Sequence, residues 1–118
     1  MNEAEFYTWA ELPQTAMTPQ IKRRLVSGEK LMMVELMLAK GAVVGVHRHP
    51  HEQITHIVSG ALEFEVHGEK RIVQGGEVIV VPSHVAHGAV ALADTVTLEA
   101  FSPPREDFLA GPKADYMK

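Results

Sequence analysis

An all-β fold of sandwich or barrel type is predicted by three observations. From residue 31 onward, strand-like apolar runs alternate with glycine or proline punctuation at short intervals. One of those runs alternates strictly in polarity, and a glycine-bearing link joins it to the next run.

The runs can be taken in order. LMMVELMLA (31–39) is almost wholly apolar and stops at Lys40-Gly41. A short helix would also accommodate its methionines and leucines, but the glycine stop and the strand-rich sequel favour a strand. QITHIVS (53–59) stops at Gly60, and ALEFEVH (61–67) follows at once. There Leu62, Phe64 and Val66 alternate with Glu63, Glu65 and His67, giving one buried and one wet face, as in an antiparallel sheet. His67-Gly68-Glu69-Lys70 then predicts a β-hairpin, because glycine takes the positive φ that a tight turn needs. KRIVQ (70–74) stops at Gly75-Gly76, EVIVVP (77–82) ends on Pro82, HGAVAL (87–92) ends near Asp94, and TVTLEAF (95–101) ends at Ser102-Pro103-Pro104. The tail PPREDFLAGPKADYMK allows one helical turn around Glu106 to Leu109 and is expected to fray at its end.

A length of 118 residues suits one domain with its own core, without staples. A formal charge of -4 and 22% charged residues argue against a nucleic-acid surface or an anionic-membrane patch, so partners should be small molecules or copies of the chain. The absence of cysteine excludes disulfides and thiolate metal sites, leaving nitrogen and oxygen as the only ligands for a metal. The N-terminus MNEAEFYTWAELPQ has no basic or apolar leader and no apolar run reaches membrane length, so a cytoplasmic location is expected.

The chemistry concentrates in VHRHPHEQITHIVSG, where His47, His49, His51 and His56 fall within ten residues. On a strand, residues two apart share a face, so His47 and His49 can offer both imidazoles to one point. Gln53 has the same parity and can add its amide oxygen, and His87 opens a later strand after glycine turns and Pro82. His67 reads as an exposed turn residue. His51, His56 and His84 read as supporting, packing or solvent residues, with His51 the first to reconsider because it shares parity with the pair.

These residues resemble the two motifs of the cupin superfamily. His47-Arg48-His49, three residues, Gln53 in place of glutamate, six residues and Gly60 match the first, with Gly41 at the leading glycine and Gly45 as an extra. Gly76, Pro82 and His87 match the second, with His84 where glycine is usual and Ala91 where asparagine is. The resemblance implies a double-stranded β-helix (jelly-roll) barrel, often a homodimer, holding one divalent metal through His47, His49, Gln53 and His87. Residues 1–118 then form one cupin domain, an N-terminal extension of about 1–27 and a barrel core of about 28–109. Three imidazoles and a neutral amide leave the ion its full charge, which favours an anionic substrate and disfavours iron oxygenase chemistry. Nickel, zinc, iron, manganese and copper all suit such a set.

EKLMMVELMLAKGA, HPHEQ and HGAVALADTVTLEAFSPPREDFL are similar to the KdgF family of pectin-degradation cupins, over most of residues 28–109. That resemblance implies conversion of 4,5-unsaturated uronates, released by pectin or alginate lyases, into linear 4-deoxy-5-keto-uronates. It also implies site roles for Glu99, Phe101 and Arg105, with Glu99 standing where the family has aspartate. From the residues alone, Glu99 faces either water or a pocket, and Phe101 on the same strand face favours a pocket or an interface. Arg105 is either a surface charge paired with Glu106 or Asp107, or a planar fork for the uronate carboxylate. The rivals are a sugar-acid-binding module without turnover and an Fe-dependent cupin dioxygenase; the chain carries no helix-turn-helix pattern that would mark a regulator.

Overall fold

The computed structural model describes residues 3–117. Each run read from the sequence is a strand, including Met32–Leu38, where a helix was the alternative. In chain order the strands are β1 (Thr15–Thr18), β2 (Ile21–Ser27), β3 (Met32–Leu38), β4 (Val43–His47), β5 (Glu52–Ser59), β6 (Ala61–Val66), β7 (Glu69–Gln74), β8 (Val78–Val81), β9 (His87–Ala91) and β10 (Thr95–Ser102). A short α-helix, α1 (Glu106–Ala110), occupies the predicted helical turn.

The strands form two antiparallel sheets, a six-stranded one ordered β1-β2-β3-β10-β5-β8 and a four-stranded one ordered β4-β9-β6-β7. The alternation of β6 buries Leu62 and Phe64 between them. His67 and Gly68, at φ 51° and 78°, make the hairpin turn into β7. Ile21, Met32, Val34, Ile57 and Leu62 meet in the shared interior. Fully burying such a side chain stabilises the fold by roughly 1.5–3 kcal/mol.

β10 runs down the centre of the larger sheet and positions the site. Glu99 pairs with Val34 on one side and Thr55 on the other, and Phe101 pairs with Gln53. Because side chains alternate, Thr95, Thr97, Glu99 and Phe101 all point inward and are buried. On the smaller sheet, Gly88 lets β4 lie close against β9: a Cβ there would sit 2.9 Å from the Val44 carbonyl oxygen and 3.1 Å from the Val46 Cα. A register shift between Val44 and His47 accompanies this approach and brings His47 opposite His87.

The sequence reading places no strand before residue 31, yet the larger sheet reaches back into the segment expected as an extension. The physical reason is Arg23. It breaks the alternation of β2 but points inward at 5% exposure, its Nη2 donating to the carbonyls of Phe108 (3.0 Å) and Gly111 (2.7 Å). Arg23 is therefore a buried strut between β2 and the C-terminal segment rather than a solvated charge, and Arg24 is half-buried in an ion pair with Glu35 at 3.1 Å. No helix among the described residues is long and apolar enough to cross a membrane.

Candidate metal centre

Three of the four expected ligands come from one end of the barrel. His47 closes β4, His87 opens β9 opposite it, and His49 lies in the link to β5. Their candidate ligand atoms all lie within 4.8 Å of one another. Each ring is held by a backbone carbonyl at Nδ1: Gly45 for His47 (2.8 Å), His51 for His49 (3.1 Å) and Val85 for His87 (2.8 Å). A carbonyl only accepts, so each Nδ1 carries the proton and each Nε2 presents its lone pair.

Gln53, the fourth expected ligand, adjoins the cluster at His49. Its Nε2 donates to Thr55 Oγ1 (2.8 Å) and to Glu99 Oε2 (3.1 Å), which fixes the amide so that Oε1 lies 3.1 Å from His49 Nε2. With His49 protonated at Nδ1, those two atoms are both acceptors, and a buried pair of facing acceptors is stable only with a cation or a proton between them. The pKa of His49 is lowered to about 4, first by burial and then by the positive charge of Arg105 and by His87, so at neutral pH a proton does not fill the gap. The donor set therefore fits a metal ion. His47 is likewise lowered to about 4, with burial as the largest cause, and His87 is lowered for the same reason. The imidazoles of His47 and His49 are neutral and ready to coordinate well below pH 6.5.

Glu99, Phe101 and Arg105 stand on the same cavity, of about 50 Å³, which is also lined by His47, Gln53 and His87. Glu99 is turned inward and buried, resolving the alternative of a solvent-facing carboxylate. Burial raises its pKa above the ordinary value, against the opposing pull of the Thr55 hydroxyl, which donates to Oε2 at 2.7 Å, and of Arg105. Arg105 is 3% exposed rather than a surface charge. Asp107 takes one edge of its fork, accepting from Nε at 3.0 Å and from Nη2 at 2.6 Å. The guanidinium lies over the rings of Phe108 (4.2 Å) and Phe101 (5.1 Å), while Nη1 makes no hydrogen bond among the described residues. Phe101 itself stands edge-on to His49, with centroids 5.9 Å apart.

The other histidines fall outside the cluster. His51 is buried with its Nε2 3.5 Å from Glu106 Oε2, and it serves the site through its backbone carbonyl. His56 and His67 are exposed. His84 is exposed at φ 65°, the left-handed region that explains why the motif favours glycine there, and its N–H donates to the His49 carbonyl at 2.8 Å.

Sequence reasoning missed two contributors. Thr55 shares parity with Gln53 on β5, a signal that was available. Tyr116 had none: the tail expected to fray ends in a 3-10 turn (Asp115–Met117), and its ring stacks on His47 at a centroid distance of 3.7 Å and an interplanar angle of 17°.

Comparison with known proteins places these features among relatives. Residues 34–102 match the family described as Cupin domain. The pectin degradation protein KdgF of Dickeya dadantii (strain 3937) is 37% identical over 102 residues, covering 84% of this chain and 93% of that protein. The structure of KdgF from a Halomonas species superposes with a TM-score of 0.85 at 38% identity, over 90% of this chain and 99% of that one. An RmlC-like cupin from Shewanella frigidimarina gives a TM-score of 0.84 at 32% identity, over 90% and 96% of the two chains.

Proposed function

The chain belongs to the cupin family and, within it, to that of the pectin degradation proteins named KdgF, and from this premise we propose that it opens 4,5-unsaturated uronates to linear 4-deoxy-5-keto-uronates. The observation that supports this most is the convergence of Glu99 and Arg105 on the cavity walled by His47, Gln53 and His87. An acid with a raised pKa and a cation with an uncommitted edge are what a conjugated enol-ether carboxylate requires.

A single divalent ion held by His47, His49, His87 and Gln53 supplies a Lewis acid for substrate oxygens when bound, with nickel, zinc, iron, manganese and copper all suited to the set. Arg105 binds the uronate carboxylate through Nη1, and Asp107 keeps the guanidinium plane fixed. Glu99 delivers a proton to C4 of the ring, water adds at C5, and Glu99 recovers its proton from that water. The resulting hemiketal breaks its bond from C5 to the ring oxygen, leaving a ketone at C5, and the C1 hydrate loses water. No electrons change hands. Phe101 forms the apolar wall beneath the ring and supports Arg105 from below.

The same proposal has the protein act on a small sugar acid in the cytoplasm as a homodimer. Met33, Ile54 and Val80 form an exposed apolar row across β3, β5 and β8 on the outer face of the larger sheet, which supports cover by a second copy.

The test is decay of the conjugated ultraviolet absorbance of 4,5-unsaturated galacturonate with metal-loaded protein, beside Glu99→Gln and Arg105→Lys. Decay well above the spontaneous rate, lost in both variants, supports the reading. No acceleration with any of the five metals sinks it, and would turn attention to oxygen uptake with Fe(II) or to binding without turnover.

A further inference from the structure

Tyr116 lines two spaces that share part of their wall. The inner cavity, about 50 Å³, holds room for a few waters only. An outer cleft of about 260 Å³ is lined by His49, His51, Asp107 and others. Three residues belong to both: His47, Arg105 and Tyr116. A uronate of about twelve non-hydrogen atoms cannot enter the inner cavity as it stands, whereas the two spaces joined reach the roughly 300 Å³ at which small-molecule pockets begin.

Two of the three shared residues are fixed. His47 is tied to Gly45 and sits in a sheet, and Arg105 is bound at two points by Asp107. Tyr116 is different. Arg23 anchors the chain as far as Gly111 and Ala114 is buried, and beyond that Met117 N–H donates to the Ala114 carbonyl at 3.0 Å. The Tyr116 hydroxyl makes no hydrogen bond among the described residues, so stacking on His47 is the contact that holds the ring in place. It is 36% exposed and has solvent to swing into.

We propose that Tyr116 is the gate of this site: its ring closes the metal pocket in the resting chain and swings outward, joining the inner cavity to the outer cleft, to admit an organic acid of uronate size. The identity of that acid rests on the proposed function above, but the gate is a property of the chain. The C-terminal turn then governs access and release, and the reacting groups lie behind it.

The test uses the full chain loaded with Co(II) and mixed with dipicolinate, a flat dicarboxylate chelator comparable in size to a uronate, following loss of the protein's cobalt absorption. Tyr116→Ala should surrender cobalt at least about tenfold faster than the parent, and Tyr116→Phe, which keeps the stacked ring, within about twofold of it, as expected when a lid limits access. Equilibrium cobalt affinity should stay within about threefold in all three, as a gate changes rates and leaves the bound state alone. An unchanged rate in Tyr116→Ala overturns the gate. So does a faster rate matched by an equal loss of affinity, because Tyr116 would then merely support His47. Turnover of unsaturated galacturonate is measured on the same samples. Turnover with a flat chelator result removes the gate and leaves the uronate reading, while faster cobalt loss with no turnover in any form does the reverse.

Discussion

His49 Nε2 and Gln53 Oε1 face each other across 3.1 Å as two acceptors, because the His51 carbonyl takes the imidazole proton on one side and Thr55 and Glu99 take the amide hydrogens on the other. A cation between them relieves the conflict, and the same bonds couple the metal centre to Glu99. Four predictions follow from this coupling and from the burial around it.

Gln53→Ala should lower metal affinity about 10- to 100-fold, as expected when a ligand and its orienting contacts are lost together. Gln53→Glu should keep the metal but set a second carboxyl where the Gln53–Glu99 bond now runs, so that one of the two must hold a proton. Turnover in Gln53→Glu should fall at least about tenfold through that competition. Calorimetric metal titration beside steady-state rates checks both, and a Gln53→Ala protein with parental affinity would remove Gln53 from the centre.

Acid should destabilise the metal-free protein between about pH 6.5 and 4. His47 and His49 have folded pKa values of about 4, below their ordinary 6.5, so in that window the unfolded chain binds more protons and falling pH favours it. Each contributes on the order of 3 kcal/mol at most. Urea unfolding at pH 7, 5.5 and 4.5 in the presence of a chelator measures this. For the same reason metal binding should persist to pH 5, below the point where ordinary histidines release metal. Metal lost by pH 6.5 would contradict the neutral-imidazole assignment.

Glu99→Gln should abolish turnover and also stabilise the metal-free protein at pH 8, by on the order of 1 kcal/mol. The sign follows from the raised pKa: a carboxyl of that kind adds stability below its unfolded value and loses it as pH rises through its folded value. The cost of burying the charge, which Gln removes, grows as pH rises, whereas in acid the gain should vanish. A variant less stable than the parent at pH 8 and in acid alike would show that the Thr55 and Gln53 bonds outweigh the burial.

Arg105→Ala and Arg105→Lys should separate structure from chemistry. Alanine removes the bidentate partner of buried Asp107 and should cost about 3–5 kcal/mol of stability. Lysine keeps a charge beside Asp107 but cannot offer a second planar edge, so it should fold and lose about a hundredfold or more in kcat/KM. Thermal unfolding beside kinetics distinguishes the two, and a fully active Arg105→Lys would exclude the clamp.

Much of the fold was legible because β strands advertise themselves locally. β6 alternates, β3 is almost wholly apolar, and the link at His67-Gly68 carries turn chemistry. β2 was not legible because Arg23 interrupts its inward face between Ile21 and Leu25, and the partners of Arg23 lie about 85 residues away on the C-terminal segment. β4 was legible only at its end, where His47 and His49 read as one strand, but β4 stops at His47 and leaves His49 in the link to β5. The ligand set His47, His49, Gln53 and His87 came from motif spacing, and Glu99, Phe101 and Arg105 from family resemblance.

The sequence by itself determined the strands outside β1, β2 and β4 and the nitrogen and oxygen character of any metal site, since the first rest on local polarity patterns and the second on the absence of cysteine. Only the tertiary structure decided which way Glu99 faces, that Asp107 holds one edge of Arg105, and that Tyr116 covers His47. Burial, charge pairing and stacking of this kind arise between residues that chain order keeps apart, and they exist only once the two sheets have closed on each other.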